Sequence, residues 1–206
     1  MGTVLMIDTP RGPARAHLDE PDRPTLLLVL HHGAGGGVQA PDLVAVTRAA
    51  VAAGYAVARV EQPYRVAGRR VPAPAPQLDE AWLAVIAALR ERHPDLPLVF
   101  GGRSMGARVA CRTAVAAGAR GVLALAFPLH PPGRPEKSRL AELDGAGVPV
   151  LVLQGDRDPF GMPPPGPARE ILVFPGARHD LRTDLPGVAQ AAVDWLAART
   201  ESIIEK

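Results

Sequence analysis

A serine lies between two glycines in the segment GGRSMGAR, with the spacing G-x-S-x-G at Gly102, Ser104 and Gly106. A nucleophile on a tight turn between a strand and a helix needs small residues two positions before and two positions after it, because larger side chains would clash there. An apolar segment precedes the motif, and a segment with an apolar helical face follows it. Glycine is common in this chain, so a small residue in an ordinary turn remains the alternative. The pattern favours Ser104 as a nucleophile.

A serine hydroxyl is a weak nucleophile that needs a base, and the base needs a carboxylate to orient it. His179, in the segment GARHDL, follows the last predicted strand and precedes the last predicted helix, so it is the candidate base. Two aspartates, Asp156 and Asp158, follow the preceding strand in the segment LQGDRDPFG. Alternate residues of an extended segment face the same side, so spacing does not choose between these two carboxylates.

A tetrahedral intermediate on Ser104 would need backbone N–H donors for its oxyanion. Met105, the residue after the nucleophile, is one candidate donor, and the segment HHGAGGG offers a second at Ala34 or Gly35, because a glycine-rich backbone can turn toward a reacting carbonyl. A glycine-rich loop can also bind phosphate. This one lacks the Lys-Ser/Thr pair of a P-loop and the spacing G-x-G-x-x-G, so we expect no nucleotide cofactor.

Short apolar segments alternate with segments of helical period, which predicts a mostly parallel sheet of about seven or eight strands with helices on both faces. The expected fold is a three-layer α/β sandwich that forms one domain over residues 1–206, without a cap domain, because no long segment is inserted between a strand and its helix. Ligands of such sheets bind at the carboxyl ends of the strands, where all the motifs above lie. Strands are predicted at 3–7, 14–18, 25–31, 55–60, 97–102, 121–127, 148–154 and 170–175, and helices at 41–53, 77–93, 104–117 and 186–199.

Composition and charge argue against several classes of protein. The net charge is +2 and the chain has only two lysines, so we do not expect a nucleic-acid partner. No apolar segment reaches the length of a membrane span, and the first residues do not resemble a signal peptide. Because Cys111 is the single cysteine, no intrachain disulfide can form, which fits a cytoplasmic location. The scattered carboxylates show no metal-ligand spacing, so no metal or other cofactor is expected.

The order of the motifs resembles the α/β-hydrolase superfamily, in particular small, cap-less hydrolases of the dienelactone-hydrolase-like type and the subfamily that includes the testis-expressed hydrolase-like proteins. Five segments carry this resemblance over nearly the whole chain: HGAGG, GGRSMGAR, FPLHPPGRPEK, LQGDRDPFG and GARHDL. The resemblance implies that the acid stands three residues after the glycine that ends the strand, which is Asp158, and that Asp156 is a turn residue. It also suggests that His130 lines the pocket, with a proline-rich loop contact as the alternative.

Three arginines, Arg65, Arg69 and Arg70, lie on the loop after the fourth predicted strand, at the same edge of the sheet. They are candidates for selecting an anionic substrate, although ordinary solvated loop arginines are the favoured alternative.

The sequence and the resemblance together predict a serine hydrolase that cleaves an ester or thioester of a small or flexible acyl substrate through an acyl-enzyme. A catalytically silent scaffold for protein–protein interaction and an acyltransferase with the same triad are the alternatives. A homodimer is compatible with the sequence, and no membrane partner is expected.

Overall fold

The computed structural model describes residues 2–201 and contains an eight-stranded sheet. The strands lie in the order β1-β2-β4-β3-β5-β6-β7-β8. The first two strands run antiparallel to their neighbours, and β3 to β8 pair in parallel, so the predicted mostly parallel sheet is confirmed. The strands are β1 (Thr3–Ile7), β2 (Ala14–Asp19), β3 (Leu27–His31), β4 (Ala56–Glu61), β5 (Leu98–Arg103), β6 (Val122–Leu125), β7 (Val150–Gly155) and β8 (Arg169–Phe174).

Helices cover both faces of the sheet, which confirms the three layers. The helices α1 and α6 pack against each other on one face, and α3, α4 and α5 supply the apolar cluster on the other face. Within residues 2–201, no helix combines the length and the apolar character needed to cross a membrane. The helices are α1 (Pro41–Ala52), α2 (Pro63–Val66), α3 (Ala75–Arg92), α4 (Met105–Thr113), α5 (Leu140–Asp144) and α6 (Leu185–Glu201).

The central strand β3 shows why the sequence forms this layered core. All five of its residues are buried, and they alternate between the two faces of the sheet. Leu27 and Val29 join the cluster beneath α3 and α4, whereas Leu28 and Leu30 join the cluster beneath α1 and α6. A strand that is buried on both faces requires apolar residues at every position, which explains the continuous apolar run in the sequence.

Two features of the helices differ from the prediction. The short helices α2 and α5 were not expected, because four or five residues are too few to show a helical period. The predicted helix 104–117 is α-helical only over Met105–Thr113. The chain then continues in turns to Gly118, whose φ of +65° suits glycine and ends the helical segment.

Candidate active site

Ser104 occupies a strained turn between β5 and α4. Its φ of 54° and ψ of −113° are rare for a residue with a side chain. A Cβ on Gly102 would lie 2.6 Å from the carbonyl carbon of Gly106, and a Cβ on Gly106 would overlap the backbone of His31 at the end of β3. Because no side chain fits at either position, both glycines of the motif are required for this turn.

The side chains of Ser104, His179 and Asp158 form one hydrogen-bonded line. The Nε2 atom of His179 lies 2.8 Å from Ser104 Oγ, and its Nδ1 atom lies 2.8 Å from Asp158 Oδ2. A carboxylate can only accept a hydrogen bond, so Nδ1 carries the proton and Nε2 is free to accept the serine hydroxyl proton. The structure therefore brings these three predicted residues together in the arrangement that serine activation needs.

Asp158 is held from several sides. Its side chain is 0% exposed, and Gln154 Nε2 donates to Oδ2 at 2.9 Å while the Phe160 N–H donates to Oδ1 at 2.9 Å. The Phe160 ring also stacks on the His179 ring, with centroids 4.1 Å apart. These contacts fix both the carboxylate and the plane of the imidazole.

Asp156, the other aspartate of the segment, is directed elsewhere. It is exposed, and its Oδ1 atom accepts a hydrogen bond of 2.7 Å from the Gly176 N–H in the turn after β8. Of the two carboxylates that spacing left open, only Asp158 contacts His179 among the residues that the structure describes. Asp156 instead ties the end of β7 to the turn that precedes the histidine loop.

Arg103 connects the Ser104 turn to the loop that carries His179. Its Nη2 atom donates to the backbone carbonyl of His179 at 3.3 Å, and its Nε atom lies 2.8 Å from the Oδ2 atom of Asp42 near the start of α1. The Asp42 side chain is 0% exposed, and burial raises its pKa while the charge of Arg103 acts against that rise. The position of the His179 loop thus depends on an ion pair beneath the site.

Two of the three candidate oxyanion donors line one cleft of about 280 Å³. Met105 is the first residue of α4, so its N–H has no partner within the helix. Ala34 lines the same cleft as Ser104 and Met105, whereas Gly35 is exposed and is not part of that lining. Of the two positions in the glycine-rich loop that the sequence left open, the geometry favours Ala34.

Two buried histidines shape the glycine-rich loop. His31 Nδ1 donates to the His32 carbonyl at 2.6 Å, and His32 Nδ1 donates to the Gly33 carbonyl at 2.7 Å. Gln62 completes the network, because its side-chain Nε2 donates to His31 at 2.9 Å and its backbone N–H donates to His32 at 3.2 Å. Burial lowers the pKa of both histidines, so they are neutral at pH 7. Their role here is to hold the loop beside Ser104.

Neither the loop arginines nor His130 line this cleft. Arg69 and Arg70 are exposed and Arg65 is partly buried, so a role for them in substrate binding stays a prediction. His130 donates its backbone N–H to the Phe160 carbonyl at 3.0 Å, and its ring lies against Gly161. It contacts the loop that carries Asp158, and a role of His130 in lining the pocket stays a prediction.

Sequence reasoning missed the polar residues that do line the cleft. Arg108 and Arg112 follow Ser104 by four and eight residues, a spacing that places them on one face of α4, so this signal was available. Arg139 belongs to a distant segment, and only the folded chain shows it there. Arg103 lies in the segment GGRSMGAR and Phe160 in the segment LQGDRDPFG, but neither residue type indicates a contact with His179.

Cys111 does not compete with Ser104 as a nucleophile. It is buried on α4, and this burial raises the pKa of its thiol to about 12. A thiol with such a pKa stays protonated at neutral pH, and the thiolate is the reactive form.

Over residues 2–201, no group of three or more His, Cys, Asp or Glu side chains could hold a metal ion.

Comparisons with known proteins agree with this fold. A family model described as an alpha/beta hydrolase domain matches residues 24–182. Three solved structures share the fold: a serine hydrolase without a lid from Xanthomonas campestris (21% identity, 93% of this chain and 91% of that chain, TM-score 0.73), a dienelactone hydrolase from Anabaena variabilis (16%, 96% and 97%, 0.77) and a thermostable carboxyl esterase from Bacillus coagulans (14%, 97% and 99%, 0.77). No curated protein sequence matches the chain.

The contact between Gly106 and His31 predicts that Gly106→Ala destabilises the protein. The added methyl group would overlap the β3 backbone, and overpacking of this kind costs about 1–3 kcal/mol. Gly37→Ala is the matched control, because a Cβ there meets only the Arg65 side chain at 4.0 Å. Urea unfolding should show a lower free energy of unfolding for Gly106→Ala and an unchanged value for Gly37→Ala. Equal stability of the two variants would contradict the claim that Gly106 packs directly against the β3 backbone.

The neutral buried histidines predict a loss of stability in acid. The pKa of His31 and that of His32 are lowered in the native protein, so below about pH 6.5 the unfolded chain binds protons that the native chain does not. The free energy of unfolding should therefore fall between about pH 7 and about pH 5.5, by up to roughly 1.4 kcal/mol per histidine and pH unit. Urea unfolding at the two pH values measures this loss.

A variant that carries both His31→Gln and His32→Gln provides the control. It should lose less stability over the same pH interval, even if it is less stable at both pH values. A loss equal to that of the parent protein would assign the acid sensitivity to other groups.

Proposed function

The chain belongs to the alpha/beta hydrolase domain family, and from that premise we propose that it is a serine hydrolase that cleaves an ester or thioester through Ser104, His179 and Asp158. The single observation that carries the proposal is the continuous line of hydrogen bonds through these three side chains, each 2.8 Å long. It ends on a carboxylate that no solvent reaches.

The proposed reaction begins with the attack of Ser104 Oγ on the carbonyl carbon of the substrate. His179 Nε2 takes the hydroxyl proton as the new C–O bond forms, and Asp158 stabilises the imidazolium that results. The backbone N–H groups of Met105 and Ala34 would stabilise the oxyanion of the tetrahedral intermediate. Collapse of this intermediate breaks the bond to the alcohol or thiol, which leaves with the proton from His179.

Water completes the reaction by hydrolysing the acyl-enzyme. His179 takes a proton from the water molecule, whose oxygen attacks the acyl carbon, and then returns a proton to Ser104 as the acid product leaves. An acyltransferase would use the same residues with another alcohol in place of water. The cleft is open to solvent, so water can reach the acyl-enzyme, and hydrolysis is the reaction that we propose.

The size of the cleft supports a small or flexible acyl group. A volume of about 280 Å³ is just below the range of roughly 300–1,000 Å³ that is typical of sites for drug-sized ligands. A single domain over residues 1–206, a cytoplasmic location and a homodimer stay predictions.

Hydrolysis of a short panel of 4-nitrophenyl esters and acyl thioesters tests the proposal. The protein should release product from at least one short-chain substrate, and Ser104→Ala should reduce kcat to the background level. Ser104→Ala removes only one oxygen atom, so circular dichroism should show an unchanged fold. Equal turnover by the parent and the variant would overturn the assignment of the nucleophile, and no turnover of any substrate would favour the scaffold alternative.

The two aspartates provide a matched pair of variants. Asp158→Asn removes the charge that orients His179, so kcat should fall by roughly 10³- to 10⁴-fold. Asp156→Asn alters a surface turn, and it should change kcat by less than about threefold because its carboxylate bonds only a backbone N–H. The measurement is kcat of both variants on the ester that the parent protein hydrolyses fastest. A larger loss for Asp156→Asn than for Asp158→Asn would contradict the assignment of Asp158 as the acid.

A further inference from the structure

Three arginines face the cleft that contains Ser104. Arg108 and Arg112 lie on α4, and Arg139 is the residue just before α5. The rest of the cleft wall near them is apolar, with Pro72, Ala73 and Leu78 among its residues. A cationic wall beside a nucleophile selects among substrates if any of its charge remains available for binding.

Two of the three arginines are neutralised by carboxylates of the protein. Arg108 donates two hydrogen bonds to the carboxylate of Glu142, from Nε to Oε2 at 2.7 Å and from Nη2 to Oε1 at 2.6 Å. Arg112 binds Asp79 in the same way, at 2.8 and 2.6 Å, and it makes a further hydrogen bond of 3.2 Å to Glu142. These bidentate pairs lock both guanidinium groups in place.

Arg139 has no such partner. Among the contacts of residues 2–201, its guanidinium makes one hydrogen bond, in which Nη1 donates to the Pro128 carbonyl at 3.1 Å, and no ion pair with a carboxylate. The side chain is partly buried, and this burial, together with the nearby charge of Arg108, lowers its pKa. A guanidinium has five N–H donors, so most of the hydrogen-bonding capacity of Arg139 remains for a ligand.

We propose that Arg139 binds a carboxylate carried by the acyl part of the substrate, so that the protein prefers hemiesters and hemithioesters of short dicarboxylic acids. This inference rests on the proposed function, because it assumes that Ser104 attacks an acyl carbon in the same cleft.

The charges of the cleft favour a carboxylate over a more highly charged group. Three guanidinium groups and the two carboxylates of Asp79 and Glu142 leave one positive charge, which matches the single negative charge of a carboxylate. A phosphate dianion would leave one uncompensated negative charge beside Glu142. A planar guanidinium also matches the planar carboxylate in its hydrogen-bond geometry.

The position of Arg139 relative to His179 favours a carboxylate on the acyl side of the scissile bond. The leaving group must receive a proton from His179, whose loop leads into α6 on one face of the sheet. Arg139 directly precedes α5, which packs on the opposite face. A substrate in the cleft therefore directs its leaving group toward His179 and its acyl chain toward Arg139.

The test compares mono-4-nitrophenyl adipate with the neutral methyl 4-nitrophenyl adipate, which has the same acyl chain. The parent protein should hydrolyse the anionic ester with a kcat/KM about 10- to 100-fold above that of the neutral ester, the ratio expected for a hydrogen bond to a charged group. Arg139→Gln should bring the ratio of the two kcat/KM values close to one, because the ratio within one variant isolates the contribution of the carboxylate. Arg139→Lys should retain part of the preference.

Arg69→Gln and Arg70→Gln are matched controls, because they remove the same charge from exposed positions outside the cleft. They should keep the preference of the parent protein. If they lose it and Arg139→Gln does not, the carboxylate site belongs to the loop and the inference is wrong. An ester with its carboxylate on the phenol side tests the placement, and a preference for this ester would also overturn the inference.

The parent protein alone supplies a measurement that does not depend on the folding of a variant. Its preference for the anionic ester should weaken as NaCl rises from about 20 to about 500 mM, because salt screens the charge of Arg139. A parent protein with no such preference, or one that salt leaves unchanged, overturns the inference. Hydrolysis of the neutral ester through Ser104 would still support the proposed function, whereas failure on both esters would count against that function itself.

Discussion

The close approach of Gly106 to the backbone of His31 determines the geometry of the whole site. A side chain at this position would push α4 away from the end of β3, and Ser104 would then lose its place between the two. Because the helix begins directly against the strand, the φ of Ser104 is forced to 54°, a conformation that the surrounding packing must sustain. The same approach places Met105 in the wall of the cleft and brings the loop after His31 beside Ser104.

Buried polar groups hold the rest of the site against this turn. Arg103 joins the carbonyl of His179 to the buried carboxylate of Asp42, and Gln62 joins the two histidines that shape the glycine-rich loop. Each of these groups would be costly to bury without its partner, so the networks favour one arrangement of the three loops. Ser104 itself lines the cleft, whereas Asp42, Gln62 and the two histidines that hold the surrounding loops are buried.

Local patterns predicted the fold and the candidate roles of Ser104 and His179, whereas the features that they did not predict depend on contacts between distant segments. The G-x-S-x-G spacing is a steric requirement of one turn, so sequence alone could indicate it. The choice of Asp158 over Asp156 was different, because spacing left both open and only the family resemblance favoured one. The structure gives the physical reason, since the Asp156 carboxylate is bound by Gly176 in a turn that no local pattern specifies. Likewise, Arg139 reaches the cleft through the path of a long loop, which composition and periodicity do not encode.

The central claim is that Ser104 is a nucleophile activated by His179, and covalent labelling with a fluorophosphonate tests it most directly. The probe phosphonylates a serine only when a base withdraws its proton, and it requires no knowledge of the natural substrate. The account predicts one adduct per chain by intact mass spectrometry, located on the peptide that contains Ser104, and its loss in a folded His179→Ala variant. An unlabelled parent protein, or an adduct on another residue, would contradict the account.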